Sequence, residues 1–564
     1  MAQKVLSGRA SDPTLAADLV SVRVDQVALS AAPVRVVADA LAAGMKKASA
    51  EVAVVYSTRP VSAPGQSGGD ADVPPEALAA GLVLARAGAG FAAPVHLERF
   101  ASPARLCVTD DPRLVSSGGA GMLTLAVSAA ELARALATGT IEMRPPQSLQ
   151  IVLAGKLRPF VCARDAALEL VRRGVGDMVR RIEEQRGAPV VLELSGPGAR
   201  LLSASERAVV CSIAPELGAA SAVFVSDERT EVYLRDQRRS KAYRALVPDA
   251  GAQPAAVVNV DLGAIDPLLV DEAGAVRPVR DLAGRPVSQV ILGADGATLR
   301  DLFAVATLLK SKRVAGGVDW LFAPPSRQTL EALAAEGALA DLLATGARLV
   351  EPDARVFSGE LYPAPPTGVS VRTFDPAPRA RMGLVTSPET LAYAVAHGVV
   401  GDPRSFKRPV RVTVPRVLPT DDVLLVTEKE RRLEADPKRG ALAPTAVAPW
   451  KPGTLDVVSA PPAKGAAGPV AVACATLEDV RAVSAMVDSA PGLVRAIVAP
   501  FVPSATVTRL SAAGVFVLSA KEPGKKVDVA AAVAGQKGAP AWLARGAERG
   551  WLSGAPSSSA RLKR

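Results

Sequence analysis

The chain has 564 residues, 49% of them hydrophobic, which is too long for one core and apolar enough to fill roughly three or four domains. Its 66 lysines and arginines against 56 aspartates and glutamates give a net charge of +10; an anionic partner is allowed, but the basic residues form no long block and are expected to disperse over the surface. Two histidines, His96 and His397, and four scattered cysteines, Cys107, Cys162, Cys211 and Cys474, exclude a disulfide framework, a Cys-x-x-Cys zinc knuckle and most histidine-based acid/base or metal schemes.

No apolar run reaches about 18 residues, and the start "MAQKVLSGRASDP" lacks the hydrophobic region of a signal peptide. The expectation is a cytoplasmic protein without membrane contact, its four thiols reduced and mostly buried. From residue 1 to about 390, short Val/Ile/Leu runs alternate with Ala/Leu-rich helical stretches, the pattern of parallel sheets covered by helices.

Taken in order, "VHLERFASPARLCVTDDPRLVSSGGAGML" (95–123) reads as a strand, a tight acidic turn, a glycine-rich bend and the start of a helix. His96 on that first strand is expected to pack rather than react, and Cys107 between Leu106 and Val108 is expected to be a buried strand thiol. "SLQIVLAGKL" (148–157) is a strand and "ARDAALELVRRG" (163–174) a helix. "SASERAVVCSIAPELGA" (203–219) opens on Ser203-x-x-Glu206, a capping box.

"QVILGADGATLRDLFAVATLLKS" (289–311) predicts a buried strand, a Gly-Ala-Asp-Gly turn and an amphipathic helix, whose N-terminal N–H groups would point at whatever the turn holds. "VDWLFAPPSRQTLEALAAEGALADLLATG" (318–346) repeats the unit. "SPETLAYAVAHG" (387–398) carries Ser387 as N-cap, Pro388 at the first helical position and Gly398 beyond the end, leaving His397 near the helix C-terminus, where it can interact with the dipole.

Composition then divides the chain into residues 1–426, a Pro/Lys/Ala-rich linker at 427–468, a small α/β domain at 469–540 and a flexible tail at 541–564, on the rule that such linkers and tails do not build a core.

Seven stretches in order carry a resemblance: "VDQ" (24–26), "VHLERF" (95–100), "GGAGML" (118–123), "LSASERAVVCSIAPELGA" (202–219), "GVSVRTF" (368–374), "SPETLAYAVAHGVVGDPR" (387–404) and "VRAIVAPFVPSATVTRLSAAGVFVLS" (494–519). Together they resemble the aconitase superfamily of iron–sulfur hydro-lyases, in particular its bacterial aconitase branch. The resemblance implies an α/β, aconitase-like fold, with three α/β/α domains around a cleft and a linked C-terminal swivel domain. It also implies a [4Fe–4S] cluster on three cysteines, whose open iron acts as a Lewis acid, together with Asp–His proton donors, a base serine and arginine clamps.

Residue by residue, those groups are replaced. In "LGADG" the cysteine position is Ala294, and in "EPDARVFSGE" (351–360) the Cys-x-x-Cys positions are Ala354 and Phe357. Shifting the first by one residue brings in Asp295, a hard oxygen ligand poorly suited to this cluster. The Asp-Ser-His-Thr segment corresponds to Asp111-Pro112-Arg113-Leu114, and Asp-His-Asn to Thr58-Arg59-Pro60, so guanidinium groups stand at imidazole positions. The family's Gln-Asp becomes Ser30-Ala31, and its Cys-His-Gln becomes Ala92-Ala93-Pro94. After "RTF", Pro376 stands at the arginine position and Arg381 alone resembles the clamp, while "ATLEDVRAVSAMV" (475–487) holds no counterpart of the base serine and its arginine.

No catalytic residue, metal ligand or cofactor is therefore expected, and the chain reads as a degenerate relative retained for binding a carboxylate or phosphate, or an unknown protein partner. Arg59, Arg113 and Arg381 are the candidate anion ligands, although pairing of the arginines with Asp110 and Asp111 is the simpler expectation. An active aconitate hydratase or isopropylmalate dehydratase would need a partner-held cluster or an ordinary metal on Asp110, Asp111 and Asp295. RNA binding, as in iron-regulatory relatives, would use "KSKR" (310–313), "KRPVR" (407–411) and "KEPGKK" (521–526); with aromatics at 4% of the chain and none interleaved with these stretches, stacking recognition has little material.

Overall fold

The computed structural model describes residues 1–61, 73–375, 383–427, 453–462 and 469–529, apart from positions 18, 32, 421, 422 and short stretches within 490–524. It is a mixed α/β protein with several largely parallel sheets. Most of the 427–468 range, Arg381 and the 541–564 tail lie outside the described residues.

The first large sheet has the order Leu425–Val426, Val83–Ala85, Val52–Tyr56, Gln26–Leu29, Leu106–Thr109, Leu123–Ala126 and is parallel except for its first strand. A second, wholly parallel sheet runs Ser221–Phe224, Val190–Ser195, Gln147–Ala154, Ala256–Asp261. The third has seven strands, and its parallel portion runs Leu384–Thr386, Val369–Arg372, Val287–Gly293, Asp319–Ala323, Arg348–Leu349. Such strands are covered on both faces, so they read as continuous apolar runs: all seven residues of Val287–Gly293 are buried.

Several expected elements stand where the sequence puts them. The helix Ala204–Cys211 begins with the Ser203–Glu206 box, Glu206 N donating to Ser203 Oγ (3.3 Å) and Ser203 N to the Glu206 carboxylate (2.8 Å). The helix Leu299–Leu309 follows the buried strand and turn, and its Thr298–Asp301 box already takes up first-turn N–H groups. Pro388–His397 ends at left-handed Gly398, with the His397 ring stacked on Tyr393 at 4.0 Å.

Three expectations are corrected. The 95–100 segment lies in a helix, Ala92–Arg99, not a strand; its "VHL" run is too short for periodicity to decide, and Pro94 suits a first helical turn. The glycine-rich bend is a 3₁₀ helix, Pro112–Ala120, that leads into the strand Leu123–Ala126 instead of a helix. Within the 427–468 range, Thr454–Ser459 forms a strand paired in parallel with Val470–Ala473, as the alternating apolar residues of "TLDVVS" permit. It belongs to a C-terminal sheet with the order Phe516–Ser519, Val494–Ala499, Val470–Ala473, Thr454–Ser459, Lys526–Asp528.

Glycine packing fixes how the layers meet. A Cβ on Gly118 would stand 1.8 Å from the Ala222 carbonyl oxygen, so the 3₁₀ helix presses directly on the strand Ser221–Phe224.

Candidate functional site

Ligands of open parallel sheets collect beyond the carboxyl ends of the strands, and the candidate residues lie on those loops. Gln26–Leu29 ends at Ser30, Val52–Tyr56 at the loop holding Thr58 and Arg59, Leu106–Thr109 at Asp110 and Asp111, Val287–Gly293 at Ala294 and Asp295, and Val369–Arg372 at Thr373 and Phe374.

Asp111 is the N-cap of the 3₁₀ helix and is buried. Its Oδ1 accepts from the Arg113 backbone N–H (3.0 Å) and Nε (2.9 Å), and its Oδ2 accepts from Arg113 Nη2 (2.6 Å) and the Ser30 hydroxyl (2.8 Å). Burial alone would raise the Asp111 pKa, but Arg113 and these hydrogen bonds hold it below the usual carboxylate value. Arg113 is thus forked onto its own N-cap residue. The same Asp-x-Arg fork recurs at Asp353–Arg355, where Nε and Nη2 donate at 3.0 and 2.7 Å, and at Asp402–Arg404, which makes it a local way of closing helix N-termini with a bidentate pair.

The three positions at which the resemblance expects cluster cysteines meet in space. Ala294, Ala354 and Phe357 belong to one apolar group with Phe91, Phe374, Ile291 and Leu321. Phe357 and Phe374 meet edge-to-face at 5.4 Å, and Phe91 completes the set at 6.0 and 6.3 Å, a preferred aromatic geometry. The Arg113 guanidinium lies 5.4 Å from the Phe374 ring centre, so the Asp–Arg fork borders this group. Thr58 is half-buried and Arg59 exposed; their loop touches the Ala354 helix through Val61, whose carbonyl accepts from Arg355.

This surrounding offers two methyl groups and a phenyl ring where the resemblance expects thiolates, and a [4Fe–4S] cluster does not fit that donor set. All four cysteines are buried and unpaired. Cys107, a strand thiol as expected, lies beside His96 (Sγ to Nε2 3.8 Å), Cys162 is the N-cap residue of the helix Ala163–Arg172, Cys211 belongs to the core of the second sheet, and Cys474 follows the strand Val470–Ala473. Among the described residues, no group of three His, Cys, Asp or Glu side chains is arranged to hold a metal ion, and the oxygens of Asp111 are already engaged. His96 is fully buried, hydrogen-bonded through Nδ1 to the Tyr56 hydroxyl (2.7 Å), and burial pushes its pKa down to about 3, so its ring is a neutral imidazole near neutrality and not an acidic imidazolium.

Asp295 is different in kind. Both of its carboxylate oxygens are buried without a hydrogen-bond partner, and burial, partly offset by Arg113, pushes its pKa up to about 6. Its turn is rigid: Gly293 has φ +134°, and a Cβ there would fall 1.6 Å from the Ala323 carbonyl oxygen. Asp295 also lines a cavity of about 280 Å³ between the helices Ala92–Arg99, Ala204–Cys211, Glu228–Asp236 and Leu299–Leu309. The Gly-Ala-Asp-Gly turn is visible in the sequence, but that its carboxylate stays unpartnered is not.

An open α/β frame whose strand-end loops meet at one cleft defines the class, and residues 76–279 match the model of the Aconitase family (aconitate hydratase). More particularly, the chain is similar to the large subunits of isopropylmalate dehydratase and homoaconitase. It is 26% identical over 421 residues to 3-isopropylmalate dehydratase large subunit 2 of Archaeoglobus fulgidus, covering 72% of this chain and 99% of that one. It is 28% identical over 434 residues to the homoaconitase large subunit of Thermus thermophilus, covering 72% and 98%. Among solved structures, aconitase X of Thermococcus kodakaraensis aligns with 69% of this chain and 90% of its own at 11% identity and a TM-score of 0.32. No helix among the described residues is long and apolar enough to cross a membrane.

Proposed function

We propose that this protein is a catalytically degenerate member of its family: it binds no [4Fe–4S] cluster, neither hydrates nor dehydrates a tricarboxylic or 2-hydroxy acid, and serves as a binding or interaction scaffold. In this reading the three large sheets form aconitase-like domains around the cleft, the C-terminal sheet corresponds to the swivel domain, and the protein works in the cytoplasm, where its four unpaired thiols stay reduced.

The observation that carries the reading is the aromatic group around Ala294, Ala354 and Phe357. Three rings in edge contact fill the space with hydrocarbon and leave no soft donor, and the adjoining Asp111–Arg113 fork supplies a guanidinium that stays protonated at any working pH. Loss of ligands and proton donor together removes both halves of the hydro-lyase reaction. Anion binding by Arg59, Arg113 and Arg381 would have to compete with the fork at Arg113.

The opposing reading, an active hydro-lyase, is favoured by the dehydratase and homoaconitase names of the relatives. The two are separated by assaying purified protein with citrate, isocitrate and isopropylmalate: the proposal expects no turnover above a no-enzyme blank, and turnover that survives repurification would defeat it.

A further inference from the structure

The helices Leu299–Leu309 and Pro388–His397 start at the carboxyl ends of strands in the third sheet and run back along it. Their last turns therefore lie on the side away from the cleft, where Val399 bridges to Pro286 at the amino end of Val287–Gly293. Beyond each helix comes a basic stretch, "KSKR" (310–313) and "KRPVR" (407–411), and the fold brings the two together. Lys312 Nζ lies 5.7 Å from the ring centre of Phe406, and the Ala315 backbone N–H donates to the Val395 carbonyl (2.9 Å). Both stretches turn on non-glycine residues in the left-handed region, Ser311 at φ +63° and Lys407 at φ +62°, a conformation that persists only where the surroundings impose it.

The charges here are not neutralised within the protein. Of the bordering carboxylates, Asp341 faces Lys310 (3.6 Å), and Asp402 and Asp266 both hold Arg404 (2.5 and 3.0 Å). Lys312, Lys407, Arg408 and Arg411 are exposed and have no carboxylate or hydrogen-bond acceptor for their side chains among the described residues. Exposure alternates along 409–414: Val410 and Val412 pack on the core of the third sheet, which turns Arg411 outward. Next to these cations stands a fixed group of rings. The exposed His397 ring is stacked on Tyr393 at 4.0 Å, its Nδ1 donates to the Tyr393 carbonyl (3.0 Å), and the half-buried Phe406 ring lies 5.8 Å away.

We infer that this surface binds single-stranded nucleic acid, with Lys312, Lys407, Arg408 and Arg411 meeting phosphates and a base stacked on the open face of His397. Cations alone suit any polyanion, but a held ring with one face in solvent beside them is what an unpaired base requires. The surface is on the opposite side of the third sheet from the cleft, so the inference stands apart from the proposed function.

The test is fluorescence anisotropy of the full-length protein with labelled oligothymidylate and oligouridylate of about twelve nucleotides, which separate DNA from RNA as the source of the strand, and with an abasic strand of the same length. Four phosphate contacts predict that log K falls against log salt with a slope of about −3, and Lys407→Gln/Arg408→Gln should bring the slope to about −1.5. The abasic strand should bind at least about five-fold more weakly than the oligonucleotides, and His397→Ala should weaken oligonucleotide binding by a similar factor while leaving the slope unchanged. Absence of binding at low salt, or equal binding of the abasic strand, by the unaltered protein would overturn the inference even if the variants failed to fold. Binding that is undiminished in Lys407→Gln/Arg408→Gln would overturn it as well.

Discussion

At the scale of single residues, Asp111 and Asp295, on the strand-end loops of two different sheets, behave oppositely because their neighbours differ. Asp111 has Arg113 and Ser30, so its charge stabilises the fold. Its folded pKa is depressed, and that contribution is present above the unfolded value of about 4 and lost as pH falls through the folded one. Replacing Arg113 with Met strands a buried carboxylate and should cost about 3 kcal/mol in chemical denaturation, the low end for a broken buried pair because Arg113 is partly exposed. Asp295 has the reverse sign. With its folded pKa raised to about 6, its penalty grows as pH rises from about 4 to 6 and is complete above that window. Asp295→Asn should therefore stabilise the ligand-free protein by up to about 3 kcal/mol near neutrality, and the gain should vanish below about pH 4; equal gains at both ends of a pH series of denaturation curves would contradict this.

Among elements, the parts decided by local chemistry were legible in advance. The Ser203–Glu206 box, the Ser387–Gly398 helix and the strand-turn-helix from Val287 to Leu309 follow from caps, glycines and apolar period. The Ala92–Arg99 helix and the Leu123–Ala126 strand were not legible, because short apolar runs carry no decisive period and the surrounding layers choose. The convergence of Phe91, Phe357 and Phe374 was also hidden: they sit some 17 to 283 positions apart in the chain, and only the shared strand-end face brings them together. The resemblance could suggest Ala294, Ala354 and Phe357 as replaced positions but could not say what fills their space. Ser203→Ala should lower stability by about 1 kcal/mol. Gly293→Ala should cost more than about 3 kcal/mol, because it combines a carbonyl clash with a backbone angle that alanine avoids; a loss of the same size for both would count against the packing described for that turn.

For the molecule as a whole, buried acids set the response to pH. Burial raises Asp165 and Glu389 to about 7, Glu183 to about 8 and Asp295 to about 6. Each holds a proton in the folded state that the unfolded chain releases above about pH 4, so stability falls as pH rises through that range. His96 works the other way, favouring the fold as pH rises from about 3 to the unfolded value of about 6.5, but it is one group against four. The melting temperature should therefore be higher near pH 5.5 than near pH 8, which differential scanning calorimetry can read; a monotonic rise across that interval would show that these carboxylates are not held as described.

The same frame bears on the central proposal, that a chain similar to aconitase-family proteins has the α/β frame without their chemistry. The most direct measurement is anaerobic reconstitution of the full-length protein with iron and sulfide, followed by desalting, iron counting, visible absorbance and an isopropylmalate and citrate turnover assay on one sample. The account predicts a colourless, iron-free, inactive protein. A brown protein with stoichiometric iron and turnover would contradict it, because a cluster would then be held despite the aromatic group at Ala294, Ala354 and Phe357.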